Sequence, residues 1–131
     1  MRLLTFTNLY PSDDSPRHGI FVEERLVQLV AGGQLTAEVV ALRPGASAFA
    51  ERSSRTTERR GIPVTYAPVP TLPRITNWID PWLWARAARG LVARLAEPRR
   101  DDVILDAHFL YPDAVAAVLI GKALGLPVVM T

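Results

Sequence analysis

The chain has 131 residues, 49% of them hydrophobic, a formal charge of +2 and no cysteine. That length suits one domain around a single core, and the composition excludes a disordered chain. The missing cysteines exclude disulfides and thiolate metal sites and fit a cytosolic setting, while the small charge, with arginines scattered except around Arg52 to Arg60, gives nucleic-acid binding little support.

Residues 2 to 8 form a first short strand. They begin too close to the N-terminus, and without a small-residue cleavage site, for a signal peptide. Residues 19 to 31 form a helix: Phe21, Val22, Leu26, Leu29 and Val30 recur at helical spacing, with Glu23, Glu24 and Gln28 on the other face. Gly32-Gly33 stops it. Residues 37 to 42 form a second strand. Pro44 to Gly61, rich in Ser, Thr, Arg and Ala, forms a mobile loop with room for one helical turn. Residues 62 to 67 form a third strand, whose early Pro63 suggests an edge position. Pro68, Pro70 and Pro73 make the next stretch a stiff connection. A second helix runs from Asp80, its N-cap, through Pro81 to Ala96, and Pro98 ends it. Residues 102 to 107 form a fourth strand, Pro112 to Leu124 a third helix with Gly125 as its cap, and Val128 to Met130 a fifth strand. No apolar run reaches the roughly 18 residues of a membrane span.

Strands alternating with helices give parallel strands joined by right-handed crossovers. The fold class is therefore α/β: one domain with a doubly wound, Rossmann-like parallel sheet in the order 3-2-1-4-5. In such a sheet the ligand crevice lies where the strand order reverses, here between the first and fourth strands. The loops leaving those strands are Asn8 to Gly19 and Asp106 to Asp113. Together they hold both histidines, and they bring His18, Gly19, His108 and Asp113 to one crevice edge.

Gly19 opens the first helix. Free N–H groups and the positive helix end there suit an anion; equally, the glycine could serve only its turn. His108 ends the fourth strand, where it could act as a base, bond a sugar hydroxyl, stack on a ring, or merely brace the loop. His18, after Pro16-Arg17, has a solvated position as its bland reading. Asp113 in a first helical turn is favoured by the helix dipole alone. Asp13 and Asp14 are turn residues. The three-glycine dinucleotide fingerprint and the Gly-Lys-Ser/Thr phosphate loop are both missing, and the two histidines lack a third ligand at metal spacing. No metal and no cofactor is expected. Trp78, Trp82 and Trp84, with Ile79 and Leu83, form an aromatic cluster expected mostly in the core or an interface. A membrane-facing or lipid-acceptor role is the minority reading, aided by Arg86, Arg89 and Arg94.

Pro11 through Arg25, with its core Ser15-Pro16-Arg17-His18-Gly19-Ile20-Phe21-Val22-Glu23, resembles the first loop and helix of retaining glycosyltransferases of the GT-B fold, in the large family four group. Asp102 through Asp113, then Gly125 through Thr131, resembles the fourth strand, its loop and the fifth strand of the same family. Residues 43 to 100 carry no such motif. The resemblance implies two Rossmann-like domains across a cleft, the N-terminal one binding the acceptor and the C-terminal one most of the nucleotide-sugar. Residues 1 to 131 would be the N-terminal domain alone, because the chain stops inside a strand and the donor-binding domain is not in it. The resemblance assigns the donor diphosphate to Gly19, catalysis to His108, and the acceptor side to His18, Tyr111 and Asp113. One glycine stands where many members have two adjacent ones.

The implied reaction transfers a sugar from a nucleotide-sugar donor to a glycan or lipid-linked acceptor with retention of configuration, and needs no visible metal. The expected setting is cytoplasmic, with peripheral membrane association left open. The 131-residue chain alone is expected to be inactive. A non-catalytic Rossmann-like binding or scaffold domain is the alternative. A receiver-like phosphoacceptor domain is discounted, since Ala67-Pro68 stand where it needs an aspartate.

Overall fold

The computed structural model describes residues 1–49, 53–97 and 99–131. The expected helix stop at Pro98 and the first arginine of the run, Arg52, lie outside the described residues. The strands are β1 (Arg2–Thr7), β2 (Thr36–Gly45), β3 (Arg55–Arg59), β4 (Ile62–Pro70), β5 (Val103–Ala107) and β6 (Val128–Met130), and the helices are α1 (Ile20–Ala31), α2 (Asp80–Ala96) and α3 (Val115–Leu124). They form one sheet in the order β3-β4-β2-β1-β5-β6. The five expected strands are β1, β2, β4, β5 and β6, and they stand in the expected relative order, parallel throughout.

The departures lie in the middle of the chain. The expected loop from Pro44 to Gly61 contains β3, which pairs antiparallel with β4 and takes the edge. β3 was hidden because four of its five residues are exposed and polar, so it shows no apolar alternation. β4 is consequently internal despite Pro63. That proline precedes the first β2–β4 pair, Val39 with Val64, so its missing N–H falls outside that ladder. β4 also runs on through Pro68 and Pro70 rather than becoming a connection. Thr71 N–H bonds Gly45 O at 3.3 Å, so odd-numbered amides there face β2. The even-numbered prolines face the other edge, where pairing with β3 has ended at Tyr66.

Each face of the sheet carries its own core. On one, α2 and α3 cover Leu4, Phe6, Leu42, Val69, Val103 and Leu105, with Trp84 at the centre. Trp84 is 2% exposed, and its indole N–H donates to Pro70 O at 3.1 Å. On the other face, Val22 and Leu26 of α1 pack on Leu3, Val39, Ile62 and Val64. Two helical expectations change. Glu23 is buried rather than solvent-facing, because Arg59 of β3 reaches it at 2.9 Å and ties α1 to the edge strand. The N-cap of α2 is Ile79, and Asp80 sits one position inside, accepting from the Thr71 hydroxyl at 3.0 and 2.9 Å.

Candidate active site

The β1 and β5 strands are parallel neighbours, so the loops leaving them emerge side by side at the carboxyl edge of the sheet. Side chains then lock the loops together. Asn8 N–H donates to Asp113 Oδ2 at 2.9 Å, and the Phe21 and Phe109 rings meet edge-on with centroids 6.5 Å apart. The His18 Nε2–H donates to Asn8 O at 3.0 Å, which closes the first loop on itself. Within that loop, Ser12 and Ser15 bond each other's backbone in both directions, and Asp13 and Asp14 sit exposed at the turn between them.

The centre of the junction is a buried polar cluster around Asp106, which is 0% exposed. Its Oδ2 accepts from Arg25 at 2.9 Å and from the Thr5 hydroxyl at 3.1 Å; its Oδ1 accepts from the Thr131 hydroxyl at 3.1 Å. Burial by itself would raise the pKa of this carboxyl. The contact with His108 and the charge of Arg25 outweigh it, so the group stays below its ordinary value. The His108 ring is 5% exposed, with Nε2 3.1 Å from Arg25 and 3.4 Å from Asp106. In a neutral ring, Nε2 either accepts from Arg25 or donates to Asp106, not both. The pair therefore sets which tautomer, and which role for Nδ1, the ring presents.

The expected site residues separate into two groups. His108 and Gly19 were expected to face an open cleft; both are buried. Gly19 has φ 69°, and a Cβ on it would lie 2.2 Å from Leu9 O. The close approach it permits is to its own loop, so substitution here disturbs the loop rather than only obstructing a ligand. Asp113, expected on the acceptor side, is 0% exposed and braces the first loop instead. Burial pushes its pKa up to about 7, against the opposing bonds from Asn8 and Thr7, and its Oδ1 has no hydrogen-bond partner among the described residues. His18 and Tyr111 are both exposed. The Tyr111 hydroxyl donates to Asn77 O, joining its loop to the turn before α2.

Sequence reasoning missed Arg25, Asp106 and Thr131 as members of the cluster. Arg25 lies outside both loops, six positions past Gly19, and the one available signal was an unpaired arginine on the first helix beside its strand-end loop.

A comparison with protein-family models gives no match. Over its whole length the chain is 27% identical to the proposed teichuronic acid biosynthesis glycosyltransferase TuaC of Bacillus subtilis (strain 168), of which it covers 36%. Its structure is similar to that of the E. coli trehalose-6-phosphate synthase solved with UDP-2-fluoro glucose bound. That match has a TM-score of 0.52 and 13% identity, and covers 99% of this chain and 32% of the other. The similarity shows a shared Rossmann-like α/β fold. The chain spans about a third of each relative's length.

Proposed function

We propose that this chain is the N-terminal, acceptor-side domain of a retaining GT-B glycosyltransferase. The longer enzyme would transfer a hexose-type sugar from a nucleotide-sugar to a glycan or lipid-linked acceptor. The observation that carries the reading is the junction of the β1 and β5 loops. It sits at the sheet's reversal point, where open α/β sheets bind ligands, and joins Arg25, Asp106 and His108 by contacts of 2.9 to 3.4 Å. The similarity to TuaC and to a fold that holds a UDP-sugar analogue supports the same class.

In the proposed reaction the bond between the sugar's anomeric carbon and the diphosphate oxygen breaks. The nucleoside diphosphate leaves with the electron pair, and an acceptor hydroxyl attacks from the same face and loses its proton. The N-terminal turn of α1 offers its positive helix end to the leaving charge, while its Ile20 and Val22 N–H groups already bond Arg17 O and Gly19 O. Gly19 contributes by letting the loop fold tightly there. His108 contributes through Nδ1, because its contacts among the described residues lie at Nε2. Arg25 and Asp106 orient the ring. His18 and Tyr111, exposed on the rim, are assigned to the acceptor.

The test is an assay of the 131-residue chain and of the longer protein with a panel of nucleotide-sugars. Acceptor-dependent release of nucleoside diphosphate by the longer protein, with retained configuration by NMR, is expected, and no turnover by the chain alone. Turnover by the chain alone would overturn the domain assignment. Failure of the longer protein to bind any nucleotide-sugar would favour the non-catalytic scaffold.

A further inference from the structure

We propose that Arg25 is a positioning residue that fixes His108 as the Nδ1–H tautomer, so that the ring turns a hydrogen-bond donor, and not a base, towards the crevice. The geometry around Nε2 carries the proposal. A guanidinium has N–H donors and no acceptor, so whatever faces it must accept. Arg25 Nη1 lies 3.1 Å from His108 Nε2, within reach of an N–H···N bond. A proton on Nε2 would set two N–H groups head to head at that distance.

Asp106 is the competing partner, and it has the weaker claim on Nε2. Its Oδ2 stands 3.4 Å away, beyond the range of a good hydrogen bond. The carboxylate is already served by Arg25, the Thr5 hydroxyl and the Thr131 hydroxyl at 2.9, 3.1 and 3.1 Å. These donors hold it in the charged form without a further one from the ring. Arg25 is itself fixed, with Nη1 on Asp106 and Nη2 donating to the Thr131 hydroxyl at 3.2 Å. The Nε2 lone pair is thus committed to the guanidinium, and the single proton of the neutral ring goes to Nδ1.

Nδ1 is the open side of the ring. Among the described residues, the buried side-chain atoms without a hydrogen-bond partner are Tyr10 Oη, Arg100 Nε and Asp113 Oδ1. Nδ1 makes no bond among those residues and yet is not one of these atoms, so the 5% of His108 that is exposed includes it. An N–H in that place recognises an oxygen lone pair, as on a sugar hydroxyl or a phosphate. It cannot take the proton of an attacking hydroxyl, so the base in the reaction is another group. That consequence for catalysis rests on the transferase reading; the tautomer does not.

The experiment is long-range proton–nitrogen NMR of the histidine rings at roughly pH 8, above the ordinary histidine value of roughly 6.5. An unprotonated Nε2 is expected in His108, with a scalar coupling across the Arg25 N–H···Nε2 bond that identifies the donor. Arg25→Met leaves Asp106 Oδ2 free to accept from the ring, and should shift the tautomer ratio roughly tenfold or more towards Nε2–H. In the longer protein, His108→Asn keeps an N–H near the Nδ1 position and His108→Gln places one near Nε2. The Asn variant should therefore retain roughly tenfold more activity than the Gln variant. A protonated Nε2 in the unsubstituted chain overturns the proposal, and so does an Arg25→Met chain that keeps its tautomer. A Gln variant as active as the Asn variant overturns the donor role. Should Arg25→Met unfold, the tautomer and the coupling in the unsubstituted chain still decide. Should the longer protein turn over no nucleotide-sugar, the transferase reading fails, while the ring spectrum still decides the tautomer.

Discussion

Arg25 Nη1 stands 2.9 Å from Asp106 Oδ2, joining α1 to the end of β5 across 81 residues of sequence. The carboxylate it meets is fully buried, and the same guanidinium touches His108 and the Thr131 hydroxyl. One partly exposed cation therefore organises the junction of both loops.

Replacing Arg25 with Met should leave Asp106 buried without its charged donor. A loss of roughly 1.5–3 kcal/mol in urea denaturation is expected, the range for hydrogen bonds to charged groups. The pKa of Asp106 is lowered in the folded state, so its contribution is present above the unfolded carboxyl value of roughly 3.9 and is lost as pH falls through the folded value. The variant should thus lose more stability at neutral pH than in acid. An equal loss at both would remove Asp106 from the explanation.

Asp113 carries the opposite linkage. With its pKa raised to about 7, the folded state holds the proton more tightly than the unfolded one. Its stabilising effect is complete below roughly pH 3.9 and is lost as pH rises towards 7. Asp113→Asn keeps an acceptor for Asn8 N–H and cannot ionise, so it should flatten that part of the stability profile. Melting curves taken from pH 4 to 8 on both proteins would show the difference, and parallel profiles would contradict it.

Gly19→Ala should destabilise the domain. A positive φ costs a residue with a Cβ roughly 1–2 kcal/mol, and here the added carbon also meets Leu9 O at 2.2 Å. The expected signature is a lower melting temperature with changed amide signals at Leu9 and Tyr10. An unaltered melting temperature would show that the loop gives way freely.

His108→Ala in the longer protein should cut specific activity by roughly ten- to ten-thousand-fold if the ring moves a proton. Comparison with its melting temperature separates the two readings. Full specific activity in a less stable protein would reduce His108 to a loop brace.

The parallel core of the sheet was legible in the amino-acid order. Short apolar runs separated by amphipathic helices leave few ways to wind, and the reversal point follows from the winding. That places both loops at one edge before any coordinate is known. Local sequence also marks Gly125 as a cap and Pro81 as a first-turn residue, because caps and prolines act within a few positions. Side-chain direction was not legible. Gly19 is enclosed by Leu9 of its own loop, and Asp113 turns inward to hold Asn8 of the neighbouring loop, space that a lone strand-to-helix connection would leave open. β3 exists because β4 offers a free edge, not because Arg55 to Arg59 favour a strand. Arg25, Asp106 and Thr131 meet because β1, β5 and β6 are neighbours, which brings residues far apart in the chain within hydrogen-bond reach. Periodicity and turn chemistry act over a few residues and so determined the elements and their winding; the polar contacts between loops depend on packing across the sheet, and only the tertiary structure could decide them.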